Sequence, residues 1–174
     1  MAVPTGEYEM TASVDLTPLF GVIEHKTTVT ITRPPENALD VRLEQLNSED
    51  ANVRQRALYD LRYFPKEGNR IVPRLVEILE SDDANLRSAA ISVFNAFLKE
   101  AAAHLDLLVG IATGEGSVNE RGGAAYLVAR VAPKDEKYEK VLTDGVESSE
   151  GYMKRRFEGA LSYYRRRHGI PMDQ

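Results

Sequence analysis

Histidines are the first place to look for chemistry. His25, His104 and His168 stand in separate regions, and none has a second histidine three or four residues away to share a metal on one helix face. The chain has no cysteine, which removes disulfides, thiolate nucleophiles and Cys-ligated zinc. Gly114-Glu115-Gly116-Ser117 and Gly122-Gly123 lack the Gly-Lys-Ser/Thr of a phosphate cradle. They fall at an inter-helix turn and inside a helical pattern, not after a parallel strand. Two glycines inside a helix cost about 1 kcal/mol each relative to alanine, so close packing or an approaching partner is expected there, and this stretch is expected to be soft. Glu49-Asp50, Asp82-Asp83 and Asp135-Glu136 stand at helix entrances, where carboxylates cap free amides and meet the positive end of the helix dipole. No catalytic constellation emerges. The expectation is a non-enzymatic protein with no metal and no cofactor.

The elements that position these residues are set by a repeat. The phrase Ser48-Glu49-Asp50-Ala51-Asn52-Val53-Arg54-Gln55-Arg56-Ala57-Leu58 returns thirty-three residues later as Ser81-Asp82-Asp83-Ala84-Asn85-Leu86-Arg87-Ser88-Ala89-Ala90-Ile91. A unit of this length cannot bury its apolar face alone, so neighbouring copies must stack into one core. First helices align through Leu39, Val72, Leu105 and Tyr138, then Leu43, Val76, Val109 and Leu142, then Leu46, Leu79, Ala112 and Gly145. Second helices align through Arg54, Arg87 and Arg121. Small residues follow at Ala57, Ala90, Ala124 and Gly159, with an apolar line through Leu61, Phe94, Val128 and Tyr163. The fourth copy registers on either Lys154 or Arg156, and the third has Glu120 where the repeat places valine or leucine. Asp50 and Asp83 are expected to cap second helices, Pro65 and Pro133 to stop them, and Pro73 to lie in a first turn.

Residues before the repeat follow a different period. Tyr8, Met10, Ala12, Val14 and Leu16 alternate with polar residues, and Thr27–Thr32 is β-branched throughout, so both stretches read as strands. Leu19–Ile23 is either a third short strand or an apolar connection, and Pro34-Pro35 ends the section. The expected organisation is a β segment over 1–35, a helical repeat domain over 36–168 and a tail over 169–174.

Net charge is −5 over 174 residues but is unevenly spread. Residues 1–35 hold two basic and four acidic groups, and residues 151–174 hold six basic and two acidic, which leaves −7 for the middle. An acidic body argues against general binding of a phosphate backbone, whereas the basic end allows a local anionic contact. The start shows no signal-peptide pattern and no run of about 18 apolar residues occurs, so a soluble, cytoplasmic protein is expected.

The pattern Asp-x-x-Val-Arg-x-x-Ala at Asp50–Ala57, repeated with Leu86 for valine at Asp83–Ala90, resembles HEAT repeats, in particular the short units of phycobilin-lyase-type proteins. The resemblance covers about residues 36–167. It implies a mainly α fold: a short HEAT-like α-solenoid of about four helical hairpins, preceded here by the small β segment. Iron-binding HEAT-like hydroxylases carry His-Glu pairs on successive helices, and no repeat in this chain does.

In such a stack the second helices would present Asn52, Tyr59, Arg62 and Tyr63, then Asn85, Ser92 and Asn95, then Asn119, Tyr126 and Arg130 on the concave side. Tyr and Arg are the residue types enriched at interface hot spots. The leading expectation is therefore a scaffold or adaptor that holds another protein on this face, within a larger assembly. The N-terminal strands would cap the stack, or pair with a partner or a second copy. One alternative is nucleic-acid binding through Arg155, Arg156, Arg165, Arg166 and Arg167, interleaved with Tyr163-Tyr164. A second alternative, implied by the lyase resemblance, is a tetrapyrrole-handling protein.

Overall fold

The computed structural model describes residues 6–15, 22–31 and 37–171. Leu19–Gly21, which the alternation left open, and Pro34-Pro35 lie outside them. The chain divides into two compact units, Met1–Ala38 and Leu39–Gln174. In the first, β1 (Gly6–Asp15) pairs antiparallel with β2 (Val22–Ile31), in a register running from Gly6 opposite Ile31 to Asp15 opposite Val22.

The second unit is helical. Its first helices are α1 (Ala38–Gln45), α3 (Gly68–Leu79), α6 (Leu105–Thr113) and α8 (Glu136–Glu147). Its second helices are α2 (Ala51–Asp60), α4 (Ala84–Phe94), α7 (Val118–Val131) and α9 (Gly151–His168). A short α5 (Leu98–Ala101) and a 3-10 turn at Ala102–His104 precede α6. The second helices form a continuous row, with α2 against α4, α4 against α7 and α7 against α9. Phe64 and Phe97 occupy equivalent joints in nearly the same backbone conformation (φ −115°, ψ 56° and φ −124°, ψ 48°), so the chain leaves the first two second helices in the same way.

Each second helix starts on a side-chain cap wherever the sequence supplies one. The Asp50 carboxylate accepts from the Asn52 amide, and that of Asp83 accepts from the amides of Asn85 and Leu86. Pro133 follows α7 directly, and Pro65 opens the short turn before α3. Pro73 is not in a first turn: it lies inside α3, which begins at Gly68 because the 3-10 turn Pro65–Glu67 runs straight into it. Its ring nitrogen has no hydrogen to donate to the preceding turn.

One core runs through the stack. Leu58, Leu61, Ile71, Leu75, Phe94, Leu108, Leu127, Val128 and Leu142 are all fully buried. Burial also fixes the register of the last copy, which differs from both sequence alternatives. Phe157, Ala160 and Tyr164 are buried in the positions of Arg121, Ala124 and Val128, whereas Tyr163 is only partly covered and Gly159 faces solvent. Phe157 thus replaces the repeated arginine. The Tyr164 hydroxyl reaches the carbonyls of Pro133 (2.8 Å) and Asp135 (3.0 Å) and accepts from the Asp135 amide (2.9 Å), which pins the loop from α7 to α8.

The last hairpin depends on a glycine in α8. A Cβ at Gly145 would lie 2.2 Å from the Phe157 ring, so α8 and α9 are as close as a missing side chain permits. At Gly159 nothing lies within 4 Å. Two alanine substitutions should therefore act in opposite directions. Helix propensity favours each by about 1 kcal/mol, but at Gly145 overpacking costs about 1–3 kcal/mol. Urea unfolding should show Gly159→Ala stabilised and Gly145→Ala destabilised.

Candidate functional site

Most polar groups singled out by the repeat are spent on holding copies together. Arg54 donates to the carbonyls of Ser48 (2.9 Å) and Glu49 (3.0 Å) in its own copy, and to the Asp83 carboxylate (3.3 Å) in the next. Arg87 repeats the arrangement on the Ser81 carbonyl (2.7 Å) and Glu120 (2.6 Å). Glu120, out of place as an apolar residue, takes over the carboxylate's role one turn inside α7. Ser117 caps the helix in place of aspartate, and its amide donates back to Glu120 in a reciprocal capping box. Arg121 closes the series by donating to the Ala112 carbonyl (3.3 Å), with its guanidinium 5.9 Å from the Phe157 ring.

These contacts shift two carboxyls. Asp83 lies below its ordinary value, chiefly because of the Leu86 amide; burial opposes the shift, and Arg54 and the Asn85 amide add to it. For Glu120 burial is the largest influence and raises the value, but the Ser117 hydroxyl and amide and the Arg87 guanidinium together hold it below normal. The glycines of α7 are likewise structural. A Cβ at Gly122 would meet Arg156 at 2.8 Å, and one at Gly123 would meet Ile91 at 2.4 Å, so close packing explains the pair. Both glycines are buried, which removes the reason to expect a soft point there.

The arginines of the C-terminal helix do not converge. Arg165 is paired with Glu139 (2.8 Å), and Arg167 donates to the Ala132 carbonyl (2.6 Å) beyond the end of α7. Arg155 lies over the exposed Tyr152 ring at 5.6 Å, and Arg166 is exposed near Tyr163. Arg156 points elsewhere, into the row of second helices.

Along that row lies a groove of about 560 Å³. Of the residues expected on this face it gathers Tyr59 from α2, Asn85 and Ser92 from α4, Asn95 just beyond α4, and Asn119 and Tyr126 from α7. Arg130 is a rim residue: it donates to Asn95 (3.0 Å) and lies 5.8 Å from the Tyr126 ring. Arg62 and Tyr63 leave the stripe because α2 ends at Asp60 and the 3-10 turn Leu61–Tyr63 advances the chain differently. Arg62 folds over Tyr59 at 4.9 Å, and Tyr63 stands 74% exposed. Asn52, in the first copy, lies outside the groove. Sequence reasoning missed Gln55, Ser88 and Ser117 on this face. Gln55 and Ser88 stand four residues before Tyr59 and Ser92, so the helical spacing that selected the latter pair was the available signal.

Tyr126 packs against Tyr163 with ring centroids 5.5 Å apart and stays 38% exposed. Among the described residues no group of three His, Cys, Asp or Glu is placed to hold a metal, and no helix is long and apolar enough to cross a membrane.

A family model described as HEAT repeats matches residues 39–129. No curated protein and no solved structure matches the chain.

The Glu120 contact has a pH signature. Because its carboxyl is held below normal in the fold, it contributes stability that is present above the unfolded value near 4.5 and is lost as pH falls through the folded value. Glu120→Gln should cost about 1–3 kcal/mol at pH 7 and reduce the loss of stability between pH 5 and pH 3, as read from denaturant unfolding across that range.

Proposed function

Because the chain belongs to the HEAT-repeat family, we propose that it is a non-enzymatic interaction scaffold or adaptor that holds a partner protein on the groove of its second helices, as part of a larger assembly. One observation carries the reading: the continuous groove across α2, α4, α7 and α9, bordered by Tyr59 and Tyr126 in equivalent positions of the first and third copies. Each ring has an arginine against it, Arg62 at 4.9 Å and Arg130 at 5.8 Å, which limits its motion before binding. Rigid aromatic anchors of this kind concentrate interface energy. The two-stranded hairpin offers a second route, since a strand of a two-stranded sheet can add to a partner's sheet or to a second copy. A reducing compartment such as the cytoplasm suits a chain with no cysteine.

Nucleic-acid binding is the weaker reading. It needs several convergent cations, and Arg165 and Arg167 are engaged on Glu139 and the Ala132 carbonyl. A tetrapyrrole-handling role of the lyase type fits less well, because the groove is lined mainly by amide and hydroxyl side chains and not by an apolar slot for a flat macrocycle.

Affinity capture from an extract of the source cells, with the whole chain as bait, tests the proposal. Tyr59→Ala/Tyr126→Ala should lose the partner, each anchor contributing about 2 kcal/mol or more. Arg165→Ala/Arg166→Ala/Arg167→Ala should retain it. A partner kept by the tyrosine variant, or recovery of nuclease-sensitive material alone, would contradict the reading.

A further inference from the structure

Arg156 is the one charged residue lining the groove. It is half-buried, and among the described residues it makes no hydrogen bond or ion pair, unlike Arg54, Arg87 and Arg165. Its position is built by α7. A Cβ at Gly122 would lie 2.8 Å from both Cβ and Nε of Arg156, and one at Gly123 would lie 3.9 Å from its Nη2. The two glycines therefore form a slot that seats the arginine stem on the helix backbone and leaves the guanidinium facing the groove. Resting on the docking-face reading, we propose that the groove takes an extended peptide segment whose single acidic side chain is fixed by Arg156.

The lining selects this occupant. A docked helix has its main-chain groups already satisfied and needs an apolar trough, whereas an extended segment carries free N–H and C=O groups. Gln55, Asn85 and Asn119 offer side-chain amides that make no hydrogen bond among the described residues, so both donors and acceptors are available along the row. Tyr59 and Tyr126 line the same groove and add aromatic surface to it. Three inter-helix spacings of about 8–10 Å span roughly seven to nine residues of extended chain. A lone guanidinium matches one carboxylate, in bidentate geometry, better than a run of phosphates that would need several cations.

Selection of a phage-displayed random nonapeptide library on the immobilised full chain tests this. The selected peptides should share one Asp or Glu position, and Arg156→Glu should switch that position to Lys or Arg. Arg156→Gln, a milder change should Arg156→Glu fail to fold, should weaken a selected acidic peptide about tenfold or more. Peptides without an acidic position, or a preference unchanged by Arg156→Glu, would overturn the assignment of Arg156 while the docking face itself stood. No enrichment on the wild-type chain, alongside a partner still lost from the tyrosine variant, would overturn the extended-peptide occupant alone. A single-stranded oligonucleotide bound by the wild type and released by Arg156→Gln would overturn the carboxylate in favour of phosphate.

Discussion

Each pair of helices leaves one apolar flank open, and only the next pair can cover it. Hydrophobic burial is non-directional, so it drives the copies together without fixing how far one slides along another. Direction comes from the arginine series. Arg54 grips the turn of its own copy through two carbonyls and reaches Asp83 of the next, and Arg87 grips its own turn through the Ser81 carbonyl and reaches Glu120. Each acidic partner also sits at the entrance of a second helix, where its amide contacts fix it in place. One side chain thus couples a turn, a helix start and a neighbour's position, and the spacing of the second helices follows.

That spacing explains why a groove exists on one face of the row of second helices. Buried alanines at 57, 90 and 124 bring the helices close at the core side, while longer side chains at 55, 59, 85, 119 and 126 stand on the other side and leave space between them. The polar residues that could have done chemistry, Glu120 and Asp83 above all, are already satisfied by amides and guanidinium groups. Groups left with hydrogen-bonding capacity, namely Gln55, Asn85, Asn119 and Arg156, are suited to recognition.

The middle of the stack was legible in the sequence because its signals are local. Asp50 and Asp83 cap as their spacing requires, and the repeated phrase gives the pairing of α2 with α4. Glu120 was readable too: Ser117-x-x-Glu120 is a capping box, a local signal hidden by comparison with the apolar residue of other copies. The register of the last copy was not readable. Three arginines or lysines precede Phe157, and only burial shows that the phenylalanine, not Lys154 or Arg156, takes the equivalent place. The slot for Arg156 was hidden for another reason. It joins Gly122 on α7 to a residue 34 positions later, and no periodic pattern links a missing side chain to the one that fills its space.

Which face of the helical unit meets a partner is the decisive question. A photo-crosslinking residue placed in the source cells at Gln55, inside the groove, and separately at Lys140, exposed on α8 of the first-helix layer, reads this directly. A discrete protein adduct from position 55 and none from position 140 is the predicted result. Adducts from position 140 with none from position 55 would contradict it and move the working surface off the second helices.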